Sequence, residues 1–287
     1  MISYPKKIDL HMHTTVSDGT DSPEEIIQRV KAAGIDMFSI TDHDAIKGCI
    51  VVRSLLKEAG LSFIPGVEFS CKDENGKYHI LGYGYDPQSD AIKEVIDTGH
   101  TYRISKLKKR IDFLKKEYGF SFSDEDLSAL YKLDNPGKPH IGNLMVKYSY
   151  APSKEIAIQT YVDKFHAGSE YVRPEQAIKG ILAAGGLPVL AHPSYGRGDE
   201  LILSSEMELR LKRLISFGLE GVEAFYSGFT PKLEEEILSF AEKFGLYVTA
   251  GSDYHGKNKL VQLGDTNLSS DAPYPTGLKR FLERVLG

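Results

Sequence analysis

Short apolar runs alternate with amphipathic stretches of helical period through the first third of the chain, and again through the last. Residues 7–10 read as a strand that ends at His11. Ser22-Pro23-Glu24-Glu25 opens a helix, with serine as N-cap, proline in the first turn and glutamate at the third position. Ile26, Ile27, Val30 and Ala33 give that helix one apolar face, and Gly34 ends it. Residues 37–40 form a second strand pattern, closing on Thr41-Asp42-His43-Asp44, and a helix is predicted over 46–59. Residues 62–67 lead into Glu68. The runs 69–71 and 77–83 flank Asp73-Glu74-Asn75-Gly76, which has the composition of a hairpin turn. The alternation resumes with a helix over 174–184, a strand over 187–191 ending at His192, and a strand over 219–225. A helix after Thr230-Pro231, a strand over 246–250 and a closing helix over 275–285 complete it. This order predicts an α/β fold with a parallel sheet or barrel at its centre. Residues 88–170 break the pattern. They are nearly all of helical type, with charged faces and a capping signature at Ser123-Asp124-Glu125-Asp126. The expected organisation is a barrel domain from 1–87 and 171–287 with a helical insertion, 88–170, placed as a lid.

Composition narrows the class without changing this picture. A chain of 287 residues with 41% hydrophobic and 26% charged residues can bury a large core without cross-links. The net charge of −5 argues against a surface coated for bulk nucleic-acid binding, though not against a local basic cleft. Cys49 and Cys71 fit no zinc spacing and read as reduced core thiols. No apolar run reaches the roughly 18 residues of a membrane span, and the N-terminal apolar stretch is too short for a signal peptide. A cytoplasmic protein with no membrane contact and no stable protein partner is the expectation.

Candidate chemistry gathers where the predicted strands end. His11, His13, Asp18, His43, Glu68, His192 and Asp253 all occupy such ends or the loops just after them. His79 lies in the hairpin after Glu68, and His255 lies two residues past Asp253. In a barrel, strand ends share one face, so residues distant in sequence become neighbours. His11-x-His13 on extended backbone points both imidazoles the same way. Alone, such a pair is weak evidence, and an aspartate in Thr41-Asp42-His43-Asp44 could simply cap the next helix. Glu68 is more telling, because a carboxylate flanked by apolar residues is costly to bury unless paired or bound to metal. Five apolar strands ending in ligand-type residues point to divalent metal. Imidazole with carboxylate and no thiolate suits zinc, manganese or iron. Nine candidates are enough for about three ions, or two with supporting partners. Clustered divalent ions suit hydrolysis at phosphorus.

Asp9-Leu10-His11-Met12-His13-Thr14, Ser17-Asp18-Gly19, Ile40-Thr41-Asp42-His43-Asp44, Gly66-Val67-Glu68, Ala191-His192-Pro193 and Gly251-Ser252-Asp253-Tyr254-His255 resemble the ordered motifs of the PHP (polymerase and histidinol phosphatase) superfamily. The inserted segment and Tyr78-His79-Ile80-Leu81-Gly82 look most like its TrpH-like branch. The resemblance covers the whole chain. It implies a distorted (β/α)7 TIM-like barrel with a helical insertion and a trinuclear metal centre. By resemblance, His11, His13, Glu68 and Asp253 hold the first ion, and Asp18, His43 and His255 the second. Glu68 then bridges to a third ion, completed by His79 and His192. Asp18 stands where the family often has histidine. The more oxygen-rich site leans towards manganese, with zinc or iron(II) as alternatives. The implied mechanism is attack on phosphorus by a metal-held hydroxide without a covalent phospho-enzyme, and the protein's general acid is not identified. The implied substrates are nucleotide phosphates, such as nucleoside mono- or bisphosphates, or short oligoribonucleotides.

On the substrate side, Lys138-Pro139-His140 resembles a motif of the same branch in which the histidine faces substrate. Arg197, five residues after His192, is placed to grip phosphate from a glycine-rich loop. Arg103, Lys106, Lys108, Lys109, Arg110, Lys115 and Lys116 make a basic helical stretch beside an apolar stripe of Ile104, Leu107, Ile111, Leu114 and Tyr118. It reads either as a solvated face or as an attractor of polyanions. Tyr171 and Tyr226 are candidates for stacking on a base. Two other functions compete: a phosphatase of another small phosphomonoester, such as histidinol phosphate, and a catalytically silent metal-binding module.

Overall fold

Two short βα units begin the chain. In the computed structural model, which describes residues 4–56, 61–166, 168, 170–197, 200–269 and 272–287, β1 (Ile8–Asp9), β2 (Met37–Phe38) and β3 (Ser62–Phe63) pair in parallel, Ile8 opposite Met37 and Met37 opposite Ser62. The helices between them are α1 (Pro23–Ala32) and α2 (Lys47–Leu55). The capping signature of α1 forms in full: Glu25 N donates to Ser22 Oγ at 3.2 Å, and Ser22 N donates to Glu25 Oε2 at 2.7 Å. Ile26, Ile27 and Val30 then bury against Phe38 and Ile40. The second helix stops at Leu55, short of the expected 59, and residues 57–60 lie outside the described ones.

The larger sheet has the order β10-β9-β6-β5-β4 and is not wholly parallel. Its members are β4 (Gly66–Asp73), β5 (Gly76–Tyr83), β6 (Leu187–Leu190), β9 (Gly221–Tyr226) and β10 (Tyr247–Gly251). β6, β9 and β10 run parallel, whereas β5 runs antiparallel to both β4 and β6. The cause is the tight turn between Asp73 and Gly76. A parallel connection needs a dozen residues or more, and this one leaves the chain no way to go but back. Gly76 takes the positive φ, 139°, that the turn requires.

The two sheets are separate ladders, and hydrogen bonds cross between them at both edges. Leu10 N donates to Ala250 O at 2.9 Å and His13 N to Tyr254 O at 2.8 Å; on the other edge Asp44 N donates to Glu68 O at 2.9 Å. The residues that sew the sheets together are therefore the neighbours of the candidate ligands. The fold is mixed α/β, with one main core of strand and helix residues that includes Leu10, Val67, Phe69, Ile80, Val189, Val222 and Phe281.

Residues 90–164 are helical: α3 (Asp90–Tyr118), α4 (Asp124–Tyr131), α5 (Lys138–Lys147), α6 (Lys154–Thr160) and a single 3-10 turn at Val162–Lys164. α3 is one helix of 29 residues, roughly 43 Å long at a rise of about 1.5 Å per residue. Its first half places Ile92 and Val95 in the main core, against α7 (Pro174–Ala183). The crossing is close because Gly180 of α7 has no side chain; a Cβ there would lie 2.4 Å from Val95 Cγ2. The second half places Leu107, Ile111 and Leu114 in a separate core with Leu130, Ile141, Met145 and Val162. The expected cap at Ser123 forms, its hydroxyl accepting from Asp126 N at 3.2 Å.

The strand pair β7 (Tyr195–Arg197) and β8 (Glu200–Leu201) and the helix α8 (Ser204–Phe217) were not expected from the sequence. α8 carries a readable apolar spacing, Met207, Leu211 and Leu214, all buried. α9 (Pro231–Phe244) and α10 (Thr276–Leu286) lie where they were predicted. Both cysteines are free and buried, and among the described residues no helix is long and apolar enough to cross a membrane.

Candidate metal centre

Alternation along one strand end starts the site. Leu10 and Met12 are wholly buried in the apolar cores, which turns His11 and His13 the other way, with ring centroids 5.3 Å apart. Glu68 meets them from the adjoining sheet. It was expected at a strand end and lies instead at the third position of β4, beyond which the strand continues into the hairpin. That placement lets β5 contribute His79 from the neighbouring strand. His192 follows β6, and Asp253 and His255 follow β10. Asp44, His192 and Asp253 all hold positive φ, at 46°, 27° and 58°. Such backbone costs roughly 1–3 kcal/mol per residue, and its recurrence in three of these loops marks them as shaped for something other than stability.

The nine candidates converge. Glu68 is fully buried and touches five imidazoles: Oε1 lies 2.8 Å from His79 Nδ1, 3.3 Å from His192 Nε2 and 3.4 Å from His11 Nε2; Oε2 lies 2.9 Å from His43 Nδ1 and 3.2 Å from His13 Nε2. Asp253 Oδ1 sits 3.4 Å from His13 Nε2 and 3.5 Å from His11 Nε2. Asp18 Oδ1 sits 3.2 Å from His255 Nε2. Donor atoms draw together in three groups: His11, His13 and Asp253; His13, Asp18, His43 and His255; and His43, Glu68 and His79. These differ from the expected partition in detail. His13 and His43 are shared between groups, and His192 joins through Glu68 rather than as a member of one.

The charges are set by this crowding. Burial opposes the charge on Glu68, but His79, His43 and His11 outweigh it and hold the carboxyl well below its usual range. Asp253 is held low against burial in the same way, by His11 and Lys259. Burial also works against His43, yet Glu68 and Asp18 raise it to about 9; burial together with His255 and His43 pushes His13 down to about 4. Buried polar atoms are satisfied in native proteins in the great majority of cases. Here His11 Nε2, His13 Nε2, Asp18 Oδ1, His43 Nδ1 and Glu68 Oε2 are buried in contact with one another, yet none has a well-aligned hydrogen bond among the described residues. Imidazole and carboxylate atoms, facing one another, are the donor set of divalent cations, and the residues fit such ions.

The supporting carboxylates were missed in the sequence. Glu223, fully buried in β9, accepts from His11 Nδ1 at 2.9 Å and from His192 N at 2.8 Å. The signal was present: Gly221-Val222-Glu223 repeats the Gly66-Val67-Glu68 pattern of a carboxylate inside an apolar strand. Asp9 accepts from Ser252 Oγ at 2.6 Å and Gly264 N at 2.8 Å, tying the β1 end to the Asp253 loop. Neither Asp42 nor Asp44 caps the next helix. Asp42 holds the loop below His13 through Thr14 N at 2.8 Å and Ser17 Oγ at 2.7 Å, and Asp44 accepts from Ser70 N at 3.0 Å and Arg103 Nε at 2.7 Å.

The expected substrate residues fall unevenly. Lys138 lines a cavity next to His79 and pairs with Asp163. His140 is half-buried at the start of α5, and its Nδ1 accepts from Gly137 N at 3.1 Å, so one ring nitrogen serves its own helix. The side chain of Arg197 lies outside the described residues. Tyr226 donates its hydroxyl to Asp253 Oδ2 at 3.0 Å rather than standing free to stack, and Lys259 Nζ shares that oxygen at 2.5 Å.

With this geometry in hand, comparison with known proteins gives the class. The family described as the PHP domain matches residues 9–173. A phosphoribosyl 1,2-cyclic phosphate 1,2-diphosphodiesterase of Eggerthella lenta is 31% identical, over 87% of this chain and 94% of that protein. A 3',5'-nucleoside bisphosphate phosphatase of Chromobacterium violaceum is 26% identical, over 86% of this chain and 87% of that protein. Among solved structures, one assigned as a metal-dependent phosphoesterase of Bifidobacterium adolescentis superposes with a TM-score of 0.79 at 28% identity, covering 96% of each chain. The chain belongs to the PHP domain family and is a hydrolase of phosphoric esters.

Proposed function

We propose that the nine-residue cluster holds three divalent ions, manganese by preference, and hydrolyses phosphate esters of nucleotides or short oligoribonucleotides. The observation that carries this reading is the set of five buried imidazole and carboxylate atoms that face one another without a well-aligned hydrogen bond, next to a cavity lined by cations. Divalent ions held there would acidify a water and neutralise charge on the phosphate oxygens. The chain's own residues do the rest. Glu68, in reach of five imidazoles, is placed to join neighbouring ions. Glu223 accepts from His11 Nδ1, which leaves Nε2 with its lone pair directed at the cluster. Tyr226 and Lys259 occupy one oxygen of Asp253 and leave Oδ1 facing His11 and His13. We read the two sewn sheets as the expected distorted (β/α)7 barrel, and residues 88–170 as a lid over its ligand-bearing face. The contacts from Asn135 to His43 O, and from Lys47 to Asp134 at 2.6 Å, fit that reading.

The test is a panel of phosphate esters assayed for phosphate release with manganese, zinc or iron(II). Nucleoside bisphosphates, nucleoside monophosphates and short 5'-phosphorylated oligoribonucleotides are expected to outperform histidinol phosphate. Preference for histidinol phosphate over every nucleotide would overturn the substrate class.

A further inference from the structure

One donor group, His13, Asp18, His43 and His255, is built from ligands that are not held alike. His13 and His255 are buried. Asp18 and His43 stand at the rim, their side chains 27% and 13% exposed, on the loops that follow β1 and β2. Neither Asp18 Oδ1 nor His43 Nδ1 has a well-aligned hydrogen bond among the described residues. Both rim ligands are instead gripped by the main chain, and in the same way. A side-chain amide donates to the carbonyl of the ligand residue itself: Asn258 Nδ2 to Asp18 O at 2.7 Å, and Asn135 Nδ2 to His43 O.

Both amides lead to the helical segment 90–164. Asn135 belongs to it, between α4 and α5, and is buried. Asn258 lies in the turn after His255, and its Oδ1 accepts at 2.5 Å from Nζ of Lys154, the first residue of α6. The carboxylate of Glu155 is further from that ammonium, at 3.5 Å. The turn is pressed against the Asp18 loop: a Cβ on Gly256 would lie 2.0 Å from Thr20 Oγ1, and Lys257 N donates to the same oxygen at 2.9 Å. On the His43 side α3 adds Arg103, whose Nε donates to Asp44 Oδ2 at 2.7 Å. The helical segment therefore meets both flanks of one donor group. These contacts lie apart from its own core of Leu107, Ile111 and Leu114.

We propose that Asn135 and Asn258 are positioning residues for the ion of this group, and that the helical segment 90–164 acts through them as a clamp on that ion. A rim side chain that swings freely loses conformational entropy when it closes on an ion, so fixing its backbone beforehand tightens binding. The two effects are reciprocal. Whatever factor the docked helices add to the affinity for the ion, the ion adds to the docking of the helices. The inference rests on the proposed function only in taking the cluster to hold divalent ions. It adds that one ion is held conditionally, while those built on His11, Glu68 and Asp253, which are buried, are not.

The experiment reads metal affinity rather than activity. Wild type, Asn258→Ala, Lys154→Met and Lys154→Arg are loaded with manganese, and a competing chromophoric chelator gives the dissociation constants of the successive ions. Asn258→Ala is expected to weaken one ion about tenfold to a hundredfold, the scale of a supporting partner, and to leave the others within about twofold. Lys154→Met, which reaches the cluster only through Asn258, is expected to weaken the same ion about threefold to tenfold, the scale of one hydrogen bond. Lys154→Arg keeps a donor and is expected to restore it. Affinities unchanged within about twofold in both Asn258→Ala and Lys154→Met would overturn the clamp. So would an equal loss at every ion, which marks a general loosening of the fold. A loss confined to Asn258→Ala would overturn the role given to the helices. Hydrogen exchange reads the link from the other end. Amides of α5 and α6 are expected to exchange more slowly in manganese-loaded than in metal-free wild type, and Asn258→Ala to lose much of that difference. Equal exchange with and without manganese would overturn the clamp. Wild type that binds no manganese would contradict the proposed function itself, whereas ions bound equally by wild type and variants would overturn the clamp alone.

Discussion

His79 separates two regions with opposite electrostatic problems. On one side, carboxylates and imidazoles of mixed sign crowd together, as in the 2.8 Å contact of Glu68 with His79. On the other, Arg103, Lys106 and Arg110 line a cavity with no carboxylate among its described lining residues. The mixed-sign side has the donor set of divalent cations and the basic side attracts anions, so this contrast in charge is more informative about function than the well-packed cores.

The strongest way to break this contrast is to remove the carboxylate at the centre of the first region. Glu68→Ala, or Asp253→Ala, is expected to lower kcat/KM about a thousandfold or more, the scale of losing a principal electrostatic stabiliser, with the circular dichroism spectrum retained. Near-normal turnover in either variant would show that the cluster is not the catalytic centre. Next in size is Glu223→Gln, which keeps the shape and removes the charge behind His11. Supporting partners of this kind are worth about 10–100-fold in metal affinity, so a competition titration with a chromophoric chelator should show a loss of that order. Unchanged affinity would mean that the His11–Glu223 bond serves the fold alone. Removing metal from the wild type by chelation is expected to cost about 2.7 kcal/mol for each ion that had been present at about 100 times its dissociation constant, seen as a lower melting temperature. An unshifted melting curve would argue that no ion was bound. The smallest effect on the cluster should come from Leu114→Ala, in the separate helical core. It is expected to cost about 2–5 kcal/mol in stability while leaving metal content unchanged. Loss of metal in that variant would show that the two regions are not separable.

Much of the first region was legible because its rule is local. An apolar strand that ends in histidine or aspartate stands out, and His11, His13, His43, His192, Asp253 and His255 were found that way. Glu68 was found by the same contrast and misplaced, because the Gly66–Asp73 strand runs on past it into the hairpin. Glu223 was overlooked although its Gly-Val-Glu pattern matches that of Glu68. A carboxylate in mid-strand reads as an isolated oddity until its partner, His11, is known to lie across the sheet junction. The second region was half legible. The basic stretch was visible, but which of its cations turn inward depends on how α3 packs against Tyr171 and the His79 strand. That choice is tertiary, and periodicity alone leaves both faces of α3 open. The helix α8 was readable at Met207, Leu211 and Leu214, but it lacks the serine or threonine cap that marks other starts, since Leu203 stands at its N-cap without a side-chain bond.

The most direct test of the central claim is metal content measured together with phosphate release. Protein loaded with manganese and freed of excess metal should carry about three ions per chain, and its hydrolysis of nucleoside bisphosphate should fall in proportion as chelator removes them. Hydrolysis that persists in protein shown to be free of metal would contradict the account.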